Sequence, residues 1–209
     1  MSLNRITVAG TKNIPNKVVC VGRNFVDHIK ELNNVVPDEM VLFIKPNSAI
    51  SDSFVFKLGS AQSGDEIHFE TEICFVVKNG FLDAVGVGLD LTKREIQTKL
   101  KQNGLPWERA KSFKGAAVLS PFVKLDFDLE KLHLKLWING KLQQAGGVEH
   151  MIHSPTAILS EVETVFSLDD GDVIMTGTPK GVGKINQGDV FVAELFADEI
   201  KLMSQEWQA

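Results

Sequence analysis

Glu70 and Glu72 stand at alternate positions where the chain enters the apolar run Ile73-Cys74-Phe75-Val76-Val77. On a strand, side chains alternate, so the two carboxylates share one face, about 7 Å apart. Like charges at that spacing are tolerated when water solvates them or when a cation lies between them. The spacing alone favours a solvated strand face. Asp90 adds a third carboxylate, at the end of Ala84-Val85-Gly86-Val87-Gly88-Leu89. An aspartate before a helix is often a turn residue, but this is also where a metal ligand would be placed. Three carboxylates without a cysteine suit a hard cation, Mg²⁺, Mn²⁺ or Ca²⁺, and not zinc.

His28 and Glu31 are spaced i, i+3, so a helix puts them on one face. A carboxylate beside an imidazole orients it and raises its basicity, as general-base work requires. An isolated pair of this kind is more often a surface contact. Lys111, in Lys111-Ser112-Phe113, is expected at a sheet edge; near a metal it would stabilise an oxyanion. Thr176-Gly177-Thr178-Pro179-Lys180-Gly181-Val182-Gly183 lacks phosphate-loop spacing. It reads either as a structural turn or as a loop giving N–H groups and a hydroxyl to an anionic ligand.

Short strands must carry most of these residues. Val18–Val21, Val41–Ile44, Ile73–Val77, Val85–Leu89, Val173–Thr176 and Val190–Leu195 are apolar and rich in β-branched residues. Leu132–Ile138 alternates and meets Asn139-Gly140, a strong hairpin signal. Three helices are expected: about 24–32; one from Thr92, with Thr92 and Glu95 as a capping box, stopped by Gly104 and Pro106; and one from Ser154-Pro155 to about Phe166. The sum is a β-rich α+β chain of 209 residues forming one domain, 1–209. A net charge of −5 argues against nucleic acid or an anionic membrane as the main partner. Cys20 and Cys74 sit in apolar runs and read as buried thiols. With no secretory signal and no apolar run long enough to span a bilayer, a cytoplasmic location is expected.

Together these segments resemble the fumarylacetoacetate hydrolase family. The matching pieces, in order, are Val21-Gly22-Arg23-Asn24-Phe25 with His28, Leu42-Phe43-Ile44-Lys45-Pro46, Glu70-Thr71-Glu72, and Leu89-Asp90-Leu91-Thr92 with Arg94 and Gln97. Gly104-Leu105-Pro106-Trp107, Lys111-Ser112-Phe113 and the 176–183 loop follow. The resemblance, closest to the small acylpyruvate hydrolases, implies a mixed β-sandwich roll, a homodimer and a divalent metal, chiefly Mg²⁺, on Glu70, Glu72 and Asp90. The chain opens at the catalytic domain, so a role outside tyrosine degradation is expected.

By that resemblance the substrate is a small anionic 2-oxo acid, an acylpyruvate cleaved by water. His28, oriented by Glu31, would activate the water, Lys111 would hold the developing charge, and Arg94, Gln97 and Thr178 would position the carboxylate end. An alternative keeps the site and changes the reaction to decarboxylation or keto–enol tautomerisation of oxaloacetate. A non-catalytic binding domain is a third reading; it predicts loss of a metal carboxylate or of the dyad, and all are present. Two departures from the family stand out. The segment from Glu72 to Asp90 is short, and the chain has no tyrosine, with Phe25 where one is common.

Overall fold

The structure, a computed structural model, describes residues 3–32, 35–55 and 66–209. Its main sheet has the strand order Val41–Pro46, Lys17–Gly22, Val173–Met175, Thr71–Lys78, Phe81–Asp90, Ala117–Leu119, Ile50–Ser51. Two neighbour pairs are parallel, Lys17–Gly22 with Val173–Met175 and Ala117–Leu119 with Ile50–Ser51; the others are antiparallel. The sheet is therefore mixed. A second, four-stranded antiparallel sheet runs Lys141–Gly147, Leu132–Ile138, Val190–Ala197, Ile200–Gln208.

The period-two pattern explains how these sheets pack. Ile73 and Phe75, with Val85, Val87 and Leu89, face the second sheet, where they meet Leu132, Leu134, Leu136 and Phe191. Residues of the opposite parity, Cys74, Val76 and Ala84, face the inside of the roll and pack with Val18, Cys20 and Met175. Each such fully buried aliphatic or aromatic side chain contributes about 1.5–3 kcal/mol. Glu72 and Asp90 share the inward parity of Cys74 and Gly88. A Cβ on Gly88 would lie 2.8 Å from Cys74 Sγ and 2.8 Å from Leu119 Cδ2, so this curled interior admits no side chain there. The fold is the β-sandwich roll that the motif order implies, and it is strand-rich as expected.

The Asn139-Gly140 hairpin forms as anticipated, with φ of 51° and 76° at the two turn residues. The Ser154-Pro155 start is also realised: Ser154 Oγ accepts from the Ala157 N–H and the helix spans Pro155–Val165. The first helix is shorter than expected, Val26–Glu31. The capping box at Thr92 does not form. Thr92–Lys93 pairs as a short strand with Ile67–His68, and the helix begins at Arg94, Lys93 serving as its N-cap without a side-chain bond. The Thr92 hydroxyl is taken by a stronger partner, the Lys111 ammonium at 2.7 Å. Lys111 itself ends a four-residue helix, Glu108–Lys111, and does not lie at a sheet edge. Among the described residues no helix is long and apolar enough to cross a membrane.

Candidate active site

Glu70 sits in the step between the Ile67–Phe69 and Thr71–Lys78 strands, and the Asp90 N–H donates to its carbonyl at 2.8 Å. That backbone bond aligns the start of one strand with the end of the next. Glu70, Glu72 and Asp90 each offer an oxygen within 4.8 Å of the others, and all three residues are buried.

Cations surround this cluster. Lys111 Nζ lies 2.7 Å from Glu70 Oε2, 2.7 Å from Asp90 Oδ2 and 2.7 Å from Thr92 Oγ1, so each of its N–H bonds has an oxygen acceptor. An Arg94 terminal nitrogen meets Glu70 Oε1 at 2.5 Å, and the other meets Gln97 Oε1 at 2.9 Å. Lys45, fully buried, places Nζ 2.8 Å from Asp90 Oδ1. The same ammonium also meets the Lys111 and Leu91 carbonyls. Burial alone would raise the Glu70 carboxyl, but the Lys111 ammonium and the Arg94 guanidinium outweigh it and hold it well below the usual carboxylate range. Burial likewise opposes charge on Lys111, and Asp90 and Glu70 overcome it, holding that ammonium above the ordinary lysine value.

Glu72 differs. Its Oε2 accepts from the Gly177 N–H at 2.6 Å, and no basic side chain pairs with it among the described residues. Burial, with Asp90 and Glu70 beside it, pushes its carboxyl well up. A buried carboxylate with no basic partner, in a cluster of three carboxylates whose oxygens lie within 4.8 Å of one another, fits a cation. The donor set, oxygen only, fits a hard divalent ion held by Glu70, Glu72 and Asp90.

His28 of the dyad lines the same cleft. His28 is buried, and its Nδ1 is 3.0 Å from Glu31 Oε2. Glu31 Oε1 in turn accepts from the Gly181 N–H at 2.9 Å. Arg94, Gln97, Lys111 and Thr178 line this cleft too. Thr178 Oγ1 accepts from Gln144 Nε2 at 2.9 Å. The loop expected to offer N–H groups to an anionic ligand spends two of them on protein carboxylates, Gly177 on Glu72 and Gly181 on Glu31. Gly177 needs φ of 97°, and a Cβ there would fall 2.9 Å from Asn24 Cβ. Phe25 is buried and borders a neighbouring hollow with Pro179, away from this cleft.

Sequence reasoning gave no role to Lys45. Its one signal is a lysine in the apolar stretch before Pro46, since a charge buried there must find a partner. Gln144, which also accepts from the Thr71 N–H at 3.1 Å, carried no signal at all.

Residues 17–206 match the family described as fumarylacetoacetate (FAA) hydrolase, C-terminal. The chain belongs to the fumarylacetoacetate hydrolase family. Among relatives in this family, the oxaloacetate tautomerase YcgM of Escherichia coli (strain K12) is 38% identical over 188 residues, 83% of this chain and 85% of that protein. The mitochondrial oxaloacetate tautomerase FAHD1 of Homo sapiens is 38% identical over 185 residues, 82% and 83% of the two chains. A crystal structure from Oleispira antarctica, described as a fumarylacetoacetate isomerase/hydrolase, superimposes with a TM-score of 0.92 at 34% identity, covering 99% of each chain. Membership in the fumarylacetoacetate hydrolase family makes the chain one of a family of enzymes.

Proposed function

We propose that this protein is a metal-dependent oxaloacetate keto–enol tautomerase. The observation that carries the reading is His28, paired with Glu31, opening on the same cleft as the carboxylate cluster, in a chain 38% identical to proteins named for that reaction. Of the activities expected from sequence, the relatives favour this one over acylpyruvate hydrolysis.

The chemistry needs one proton moved. Oxaloacetate carries an acidic C3–H between its keto group and its distal carboxylate. Glu31 accepts the Nδ1–H of His28, which leaves Nε2 with a free lone pair toward the substrate. Nε2 takes the C3 proton as the C3–H bond breaks, and the electron pair moves to the keto oxygen. The imidazolium then returns its proton to that oxygen, giving the enol; the reverse sequence gives the ketone. Atoms balance without water. A bound Mg²⁺ or Mn²⁺ supplies Lewis-acid polarisation of the 2-keto oxygen. Lys111 and Arg94 hold Glu70 in the ionised form that such an ion requires, and Lys45 and Lys111 face Asp90. Arg94 and Gln97, joined to each other at the cleft wall, orient the C1 carboxylate, and Thr178 borders the same end. Lys111 steadies negative charge as it develops. A homodimer, expected from the family resemblance, belongs to the same proposal and is read by sedimentation.

The charges of the carboxylate cluster and its ion-pair partners support an anionic substrate. Glu70, Glu72 and Asp90 sum to −3, and Lys45, Arg94 and Lys111 to +3. A divalent ion would add +2 and leave the cluster net positive, which suits an anionic substrate.

The test follows enol absorbance after adding enolic oxaloacetate to purified protein with Mg²⁺ or Mn²⁺, while a coupled assay reads pyruvate. Faster conversion without pyruvate is expected. Pyruvate release from acetylpyruvate, with no effect on the oxaloacetate enol, would sink the proposal and favour hydrolysis. Pyruvate release from oxaloacetate would instead indicate decarboxylation.

A further inference from the structure

Arg23 and Lys101 face the same cleft, and the chemistry above uses neither. The other cleft cations are committed: Lys111 to Glu70, Asp90 and Thr92, and Arg94 to Glu70 and Gln97. Among the described residues no carboxylate pairs with Arg23 or with Lys101. Arg23 Nε, like Arg94 Nε, is buried without a hydrogen-bond partner, but Arg94 has a carboxylate on a terminal nitrogen and Arg23 has none among the described residues. One terminal nitrogen reaches the Val35 carbonyl at 3.5 Å, too long for a good bond. The Arg23 backbone is held at φ 60°, left-handed for a non-glycine residue. The next residue fixes it there: the Asn24 amide donates to the His153 and Thr176 carbonyls at 3.0 and 2.8 Å.

Lys101 comes from the last turn of the Arg94–Gln102 helix, and its Nζ stands 5.0 Å from the centroid of a Trp107 ring. That face tolerates a cation and leaves the N–H bonds free for a ligand. Burial, and then the Arg23 and Arg94 guanidiniums, push the Lys101 amine down to about 8. Two like charges thus lie close together in a partly desolvated wall with no anion between them. An arrangement of this kind is stable chiefly when a ligand brings the anion.

We propose that Arg23 and Lys101 form a subsite for the distal carboxylate of the substrate, which makes the cleft selective for 2-oxo dicarboxylates over 2-oxo monocarboxylates. This deepens the oxaloacetate reading and rests on it for the placement of the 2-oxo acid end at Glu70, Glu72 and Asp90. It assigns the second carboxylate to groups that an acylpyruvate with a plain alkyl end would leave unmatched.

The test compares oxaloacetate with 2-oxobutanoate, in which a methyl group replaces the distal carboxylate. Both bind Mn²⁺-loaded wild type, Arg23→Gln and Lys101→Gln protein in a calorimeter, and tautomerase kinetics are run alongside. Wild type should prefer oxaloacetate by about tenfold or more, the scale of one charge-assisted hydrogen bond. Each variant should lose most of that preference, with 2-oxobutanoate binding kept, and KM for oxaloacetate should rise more than kcat falls. An unchanged preference in both variants overturns the subsite and leaves the tautomerase reading standing. Equal loss of both ligands also overturns it, since the residues would then be serving the fold. A preference that collapses in the variants of a protein inert toward the oxaloacetate enol upholds the subsite and overturns the reaction.

Discussion

The Gly177 amide donates a 2.6 Å hydrogen bond to Glu72 Oε2, and it is the one hydrogen bond recorded to that buried carboxylate among the described residues. The bond depends on a left-handed backbone that places the N–H toward the cluster and leaves no room for a Cβ beside Asn24. Gly177→Ala should therefore cost about 1–3 kcal/mol of stability and weaken metal affinity. Thermal melts with and without Mn²⁺ would check both effects; a variant that melts and binds like wild type would show that the bond does not position Glu72.

His28→Ala should lower kcat by about 10²–10⁴-fold, the usual contribution of a positioned proton-transfer group, while Mn²⁺ binding by calorimetry stays near wild type. Glu31→Gln should fall between, because the amide can still meet Nδ1 but does not favour an imidazolium. Equal activity of wild type and His28→Ala would move the proton shuttle elsewhere.

Lys45 neutralises Asp90 where no water can. Lys45→Met keeps most of the volume but removes one of the two ammoniums on the buried Asp90 carboxylate, leaving Lys111, so chemical denaturation should show a loss of about 3 kcal/mol, the low end for a broken buried pair. Lys45→Met combined with Asp90→Asn should regain much of the stability and none of the activity. A double variant no more stable than the single one would argue that Lys45 acts through packing alone.

Lys101 predicts a pH dependence. Its amine titrates at about 8 in the folded chain against 10.5 ordinarily, through burial first and then Arg23 and Arg94, with Lys111 adding to the repulsion and Glu70 opposing it. Between those values the unfolded chain binds more protons than the folded one, so stability rises with pH across that window, and the penalty is fully present below it. Lys101→Met should accordingly raise Tm near neutral pH, with the gain shrinking as pH climbs through the window. Oxaloacetate affinity should move the other way in wild type, weakening as the amine loses its proton. Melting curves and KM, followed from neutral to alkaline pH in both proteins, would test the pair of trends.

The parts of the site that were legible in the sequence obey local rules. Glu72 and Asp90 follow strand parity, His28 and Glu31 follow helix periodicity, and Asn139-Gly140 follows the demand for positive φ. What escaped depends on distant partners. Lys45 reads as an ordinary lysine until Asp90 is folded against it. Thr92 has the form of a helix cap, but Lys111 claims its hydroxyl. The glycine loop reads equally as a structural turn or a ligand loop, and which oxygen each amide meets is set by residues more than a hundred positions away. The unmatched pair Arg23 and Lys101 is invisible for the same reason: only the fold shows that Arg94 and Lys111 already have carboxylate partners in the cleft.

That loop also works as a calliper. One tip, Gly177, grips the carboxylate meant for the cation, and the other, Gly181, grips the carboxylate that steers the imidazole. Four residue steps of backbone thus gauge the span between the electrophilic and the proton-moving halves of the site. Lengthening or shortening the stretch between the two tips would alter that span while leaving every catalytic side chain in the sequence.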